Sequence, residues 1–179
     1  MEERVVLVDD QDRELGSEAK LAAHAAGQLH RAFSVFVFDG EGNLLLQRRA
    51  AAKYHSASLW SNTCCGHPRP GEPMLDAARR RLREEMGIDC PLRHVFHFTY
   101  WADLGEGLCE HEFDHVFVGR FDGQPAPDPE EVAEWRWVNV EDARADLAAD
   151  PGSYTVWFPI ALEGLRSRGL PEQPECSGA

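Results

Sequence analysis

Apolar positions along the chain recur with two different periods. Val5 to Val8 is a short apolar run closed by four polar residues, Asp9-Asp10-Gln11-Asp12, and reads as a strand and a turn. Ala32 to Phe38 (AFSVFVF) and Leu44 to Gln47 flank the glycine-bearing stretch Asp39-Gly40-Glu41-Gly42-Asn43, the pattern of a strand hairpin. Later, Val95 to Trp101, Leu108 to Gly119 and Trp135 to Val140 are rich in β-branched and aromatic residues and are joined by Gly- and Pro-containing loops. They are expected to be antiparallel strands. The helical period is clearest over Glu72 to Met86, where Met74, Leu75, Ala78, Leu82 and Met86 form one stripe. Pro73 lies in the first turn and Gly87 is the stop. Glu18 to Ala26, Glu141 to Ala149 and Trp157 to Arg168 also read as helices. Tyr54 to Pro70 has no regular period and leads into a proline-stiffened loop. These elements predict an α/β (α+β) layered fold: one domain over residues 1–170, with 171–179 a flexible polar tail.

Composition narrows the function classes. The 179 residues are 43% hydrophobic and 27% charged, the balance of an ordinary globular domain. A net charge of −13 disfavours general affinity for nucleic acid or anionic lipid, and no apolar run approaches a membrane span. The opening MEERVVLVDD has neither the basic nor the apolar segment of a secretory signal. Five cysteines at irregular spacing (Cys64, Cys65, Cys90, Cys109, Cys176) do not form a disulfide framework, so the expectation is a cytoplasmic protein with free thiols, a monomer or weak dimer.

The charge is unevenly distributed. From Arg48 to Arg83 the local balance is +6, and from Asp103 to Asp150 it is −11. Such a division points to an anionic ligand held by the first segment and to carboxylates of the second that are free for metal or proton chemistry; two solvated faces would produce the same count. Of 18 cations 16 are Arg, and the only lysines are Lys20 and Lys53, two places where a compact ammonium is retained. Cys64-Cys65, just ahead of Gly66-His67, are either small apolar residues suited to a turn or a ligand or nucleophile. Glu110 and Glu112, two apart in an expected strand, place both carboxylates on one face. Together with His24, His30 and His67 they would make an N₃O₂ set for an octahedral Mg²⁺ or Mn²⁺ or, less comfortably, Zn²⁺.

From Gly66 the chain runs five residues to Glu72 and seven more to Arg80-Arg81-Leu82-Arg83-Glu84-Glu85-Met86-Gly87-Ile88. This resembles the box of the Nudix superfamily, with Arg81 where a glutamate is expected. Lys20-Leu21-Ala22-Ala23-His24, Leu29 to Ser34, Trp60-Ser61-Asn62-Thr63-Cys64-Cys65-Gly66-His67-Pro68, Glu110-His111-Glu112 and Tyr154 to Phe158 extend the likeness. From about Val5 to about Arg168 the chain resembles the type I isopentenyl-diphosphate isomerases of that superfamily. The resemblance implies a Nudix-type mixed sheet sandwiched between helices and a 1,3-allylic shift from isopentenyl to dimethylallyl diphosphate. It further implies that Glu112, with Tyr100 beside it, delivers a proton that Cys65 balances by taking another. Trp157 would shield the intermediate cation, and Lys20, Arg49, Lys53 and Arg81 would bind the diphosphate of this small-molecule substrate. The resemblance assigns Mg²⁺ to Glu85 and a second divalent metal to His24, His30, His67, Glu110 and Glu112. His55, His94, His97, His111 and His115 match nothing and are expected to be structural. Two other readings compete: a Nudix hydrolase of nucleoside diphosphate derivatives, against which Arg81 argues, and a zinc- or thiol-responsive binding module built on Cys64, Cys65 and His67, which leaves the cationic segment unexplained.

Overall fold

A computed structural model describes residues 3–53 and 55–170; the expected polar tail, 171–179, lies outside the described residues. The elements run β1 (Arg4–Val8), β2 (Glu14–Ala19), α1 (Lys20–Ala26), β3 (His30–Phe38), β4 (Leu44–Arg49), β5 (Trp60–Ser61), β6 (Cys64–Gly66) and α2 (Met74–Met86). They continue with β7 (Leu92–Gly105), β8 (Leu108–Arg120), β9 (Val132–Val138), α3 (Val140–Ala149) and α4 (Phe158–Arg166). Among the described residues no helix is long and apolar enough to cross a membrane.

Strand β3 organises the sheet. Phe33, Val35 and Val37 pack with Leu82 and Met86 of α2, whereas Phe36 and Phe38 pack with Phe158, Leu162 and Leu165 of α4. A strand covered on both faces loses the alternation of a half-buried one, which is why AFSVFVF reads as a nearly continuous apolar run. On one edge β8 runs parallel to β3 from the His30/Glu112 pair to Phe38/Arg120. Opposite it, β1 pairs at His30, β6 at Phe33 to Val35, and β4 only at Phe38. The β3–β4 hairpin therefore opens immediately beyond its turn. β4 takes β9 and β5 as its own antiparallel partners, and β6 lies against β3.

Several expectations change. The segments after α2 are not all antiparallel: β7 and β8 are, and β9 is to β4, but β8 joins β3 in parallel because the chain between them crosses over through α2. The expected helix Glu18 to Ala26 is shortened at its start, because Glu18 and Ala19 end β2, an edge strand with no apolar alternation held by its pairing to β1. Tyr54 to Pro70, expected to be irregular, contains β5 and β6, too short to show a period. Pro73 caps α2 from outside rather than sitting in its first turn. Its buried stripe is completed by Ala77, while Leu75 is 42% exposed. Trp157 precedes α4, leaving a helix of nine residues.

Helix α2 stops at Gly87, whose φ of 65° is left-handed and whose N–H donates to Arg83 O at 3.0 Å. The next loop closes onto the helix end, with Ala126 N donating to Met86 O at 2.9 Å and Asp128 N to Glu85 O at 3.0 Å. A Cβ on residue 87 would meet Ala126 O at 2.5 Å. Gly87→Ala is therefore expected to lower unfolding free energy by about 1–3 kcal/mol, from the positive φ and the backbone clash together. Urea denaturation with an unchanged slope is the check. A loss below about 0.5 kcal/mol would mean that the loop yields freely.

Candidate active site

A pocket of about 560 Å³ opens where β3 and β8 begin. Because side chains alternate along β8, Glu110, Glu112 and Asp114 share one face, and all three are buried. Parallel pairing sets His30 beside Glu112, antiparallel pairing sets Tyr100 of β7 across from it, and β6 sets Cys65 beside Ser34. The left-handed Gly27 (φ 59°) ends α1 and turns the chain, bringing the His24 and His30 rings to 4.8 Å.

Four of the five expected metal ligands converge: His24, His30, His67 and Glu112 each offer an atom within 4.8 Å of the others. His67 Nε2 lies 2.9 Å and His30 Nε2 3.6 Å from Glu112 Oε1. His30 Nδ1 donates to Gln28 O at 2.8 Å, which fixes the tautomer and leaves the lone pair of the buried Nε2 facing the cluster with no hydrogen-bond partner. Glu110 stands at the rim, Oε2 3.9 Å from His24 Nε2 and Oε1 3.3 Å from His55 Nε2. Tyr100 Oη donates to Glu112 Oε2 at 2.7 Å and lies 3.4 Å from Glu110 Oε2. This donor set fits a divalent cation of the Mg²⁺, Mn²⁺ or Zn²⁺ kind.

Electrostatics separates the carboxylates. Burial, then the charge of Glu112, pushes Glu110 well above the usual range. Burial also acts on Glu112, but the close approach of His30, the His67 hydrogen bond and the His67 charge outweigh it and hold that carboxyl well below. Burial raises the Tyr100 phenol well above its ordinary value, reinforced by Glu112 and Glu110. His24 is lowered to about 3 by burial, then by the charges of His67 and His30.

Cys65 lines the same pocket, with Asn62 Oδ1 at 3.2 Å, Trp157 Nε1 at 3.1 Å and Ser34 Oγ at 3.7 Å from Sγ. Burial, then the charge of Asp114, pushes its thiol up to about 12. Cys64 points the other way, into the core beside Leu82 and Met86. The indole of Trp157 has Arg49 Cζ 5.6 Å from its centroid.

Lys20, Arg49, Lys53 and Arg81 all line the pocket, so the structure brings the four expected anion-binding cations together. Carboxylates sit on three of them here: Glu3 lies 3.1 Å from Lys20 Nζ, and Glu131 contacts Lys53 and lies 3.3 Å from Arg81 Nη2. Glu85, buried on α2, contacts Arg81 and accepts from Gln47 Nε2 at 2.8 Å. Glu72 instead ties the loop to the helix, taking a two-pronged bond from Arg80 at 2.7 and 2.8 Å.

His55, expected to be structural, lies in the pocket wall, its ring 5.9 Å from His24 and 6.2 Å from Trp157. Its only signal was a position two residues after a rare lysine. Ser34 and Asp114 carry a weaker signal, each a polar interruption of an apolar strand; Ser34 Oγ donates to Asp114 Oδ2 at 2.8 Å. Glu3 and Glu131 carried no motif.

The fold and this pocket define a protein of the Nudix class. The NUDIX domain profile matches residues 28–158. A solved structure from Deinococcus radiodurans, DR0079, superposes with a TM-score of 0.76 at 23% identity, covering 90% of this chain and 98% of that one, which shows the shared fold. Curated relatives are more specific. "Isopentenyl-diphosphate Delta-isomerase" of Burkholderia multivorans is 56% identical over 171 residues, 96% of either chain. "Isopentenyl-diphosphate Delta-isomerase 2" of Aromatoleum aromaticum is 54% identical over 167 residues, 93% of this chain and 88% of its own. The chain belongs to this isopentenyl-diphosphate Delta-isomerase family of Nudix proteins.

The histidines make stability pH-dependent. His55, like His24, is lowered to about 3, by burial and then the Arg49 charge, from an ordinary 6.5. Below pH 6.5 the unfolded chain therefore binds protons that the folded one refuses, and the stability present above that pH drains away as it falls toward 3. In chelator-treated protein the urea midpoint is expected to fall through this window, less steeply in a His24→Asn/His55→Asn double variant. Identical slopes would contradict the assignment.

Proposed function

We propose that this protein converts isopentenyl diphosphate to dimethylallyl diphosphate by adding a proton to the terminal alkene carbon and removing one from C2. The observation that carries the reading is the meeting, in one pocket, of the Cys65 thiol, a carboxylate bonded to a tyrosine, and four cations. An unactivated alkene is a weak base. Its protonation needs a positioned acid and a dry site, and the tertiary cation that results needs shielding from water.

In this reading Glu112 delivers the proton, Tyr100 orients its carboxyl, and Cys65 takes the second proton. The ligand-free charge state, with the thiol protonated and Glu112 ionised, is the one such a turnover leaves behind. A proton must then return to Glu112 before the next cycle, and the same state is the starting point for the reverse reaction. Lys20, Arg49, Lys53 and Arg81 hold the diphosphate, which displaces Glu3 and Glu131 from them. Phe33 and Trp157 wall the hydrocarbon end. His24, His30, His67, Glu110 and Glu112 hold one divalent cation, Mn²⁺ or Mg²⁺ before Zn²⁺. Glu85 would hold a Mg²⁺ beside the diphosphate, and Arg81 would bind phosphate. When bound, these ions supply charge that fixes the ligating carboxylates and neutralises phosphate oxygens. Free thiols at Cys64, Cys65, Cys90 and Cys109 accord with a reducing, cytoplasmic setting.

Purified protein with isopentenyl diphosphate and Mg²⁺ is expected to yield dimethylallyl diphosphate without free phosphate; phosphate release instead would favour a hydrolase. Cys65→Ala should lower turnover by roughly 10²–10⁴-fold with little change in melting, the range for loss of one acid–base group. Cys64→Ala should cost stability rather than chemistry, because its sulfur lies in the core. Equal losses of turnover would remove Cys65 from the mechanism.

Trp157 separates charge stabilisation from bulk. If its π-face meets the cation, Trp157→Phe should retain more turnover than Trp157→Leu by about ten- to thirty-fold, the equivalent of ~1.4–2 kcal/mol, in kcat with KM nearly unchanged. Equal kcat at matched stability would make the ring a wall only.

A further inference from the structure

Asn62 is fully buried and lies behind the pocket rather than in its lining. Its orientation is settled by its amide end, because Nδ2 donates to Val35 O at 3.1 Å and to Cys64 O at 2.8 Å. Oδ1 is thereby turned toward the back of the site. There it accepts from Ser61 Oγ at 3.0 Å, from Cys65 Sγ at 3.2 Å and from Trp157 Nε1 at 3.1 Å. Three donors exceed the two lone pairs of a carbonyl oxygen, and the indole N–H also reaches Cys65 Sγ at 3.1 Å, so oxygen, sulfur and ring nitrogen form one closed triangle. Ser61 extends it: its hydroxyl lies 3.0 Å from Thr155 Oγ1, and Thr155 N donates to Trp60 O at 3.0 Å, which stitches the segment carrying Trp157 onto β5. A thiol is a weak hydrogen-bonding group and rotates freely about χ1 unless something holds it. Here the group that holds it also holds the aromatic ring beside it.

We propose that Asn62 is a positioning residue for the proton transfer: its carboxamide oxygen sets the Cys65 sulfur and the Trp157 indole edge in one fixed arrangement behind the substrate. The inference rests on Cys65 exchanging a proton with substrate. It assigns the Oδ1 end a role separate from the Nδ2 end, which ties β6 to β3.

The two ends are told apart by Asn62→Ala, which removes both, and Asn62→Asp. A buried aspartic acid in its neutral form keeps an acceptor and can give its single proton to one of the two carbonyls. Both variants and Cys65→Ala are assayed on isopentenyl diphosphate. The Trp157 indole resonance, assigned through Trp157→Phe, is followed in ¹H–¹⁵N spectra, and cysteine labelling under native conditions reports folding. The expected result for Asn62→Ala is a kcat roughly 10- to 100-fold lower with KM within about threefold, a displaced Trp157 indole resonance, and Cys64 and Cys90 still protected. Asn62→Asp should recover part of the kcat and move the resonance back. Wild-type kcat in Asn62→Ala overturns the inference, as do losses in both variants that track labelling of Cys64 and Cys90, since Asn62 would then only hold the strand. Should Asn62→Ala not fold, hydrogen exchange of the wild-type Trp157 indole decides: slow exchange supports the bond, and exchange at the rate of an exposed indole refutes it. Full activity in Cys65→Ala would instead overturn the assignment of Cys65. An inactive Cys65→Ala beside an unaffected Asn62→Ala fails this inference alone.

Discussion

Strand β3 must satisfy two faces and two edges at once, and the site follows from how it does so. Its faces are taken by α2 and α4, so its alternate side chains have no solvent to turn to. One edge is occupied along its whole length by β8, and the other is shared in turn by β1, β6 and β4. At the start of the strand the edges are held by β1 and β8, and at Ser34 by β6 and β8. The polar residues His30 and Ser34 stand there, opposite Glu112 and Cys65, in a region the two apolar cores do not reach. The same residues placed at Phe36 or Phe38 would be buried among phenylalanines with no room for a ligand.

That location concentrates charge in a half-dry place, which is costly unless the charges answer one another. Among the carboxylates the answer is a division of labour: the histidines that face Glu112 hold its carboxyl low, while burial and then the nearby Glu112 push Glu110 up. Among the cations the answer is internal, since Glu3 and Glu131 neutralise what the mouth would otherwise leave unpaired. Glu131 is brought there by the loop that caps α2, whose Asp128 N–H bonds the backbone of Glu85. The helix that carries Glu85 and Arg81 thus anchors the acid that covers them.

The long elements were legible in the chain because their patterns run over ten or more residues, as α2 and β8 show. β5 and β6 were not, since two or three residues carry no period, and β2 was missed because an edge strand held by backbone bonds needs no apolar face. The parallel pairing of β3 with β8 is a property of the crossover and not of either strand. In the site, residues of rare type or in motifs stood out: both lysines, the Cys64-Cys65 pair, the Glu110/Glu112 spacing. His55, Glu3 and Glu131 arrive through loops and the N-terminal segment, where three-dimensional proximity leaves no local trace. Ser34 and Asp114 did leave one, a polar residue inside an apolar strand, since a buried strand admits such a residue only where it finds a partner.

The cationic mouth raises a question about the intermediate. A carbocation formed in this pocket would share it with Arg49, whose guanidinium already lies near the Trp157 ring. At a separation of ~8 Å and an effective dielectric constant of ~20, two unit positive charges repel by about 2 kcal/mol, while Glu3 and Glu131 offset the three further cations. The π-face of one indole returns an amount of the same order. An alkene lacking the diphosphate would therefore gain little from the ring that Arg49 did not cancel. On the proposed reading, a seated diphosphate would neutralise Arg49 with the rest of the mouth and leave the Trp157 interaction as a net gain available only to the cation and not to the neutral alkene. Binding of the distant anionic group would in this way be converted into stabilisation of the transition state, tying the rate to a part of the substrate that undergoes no reaction.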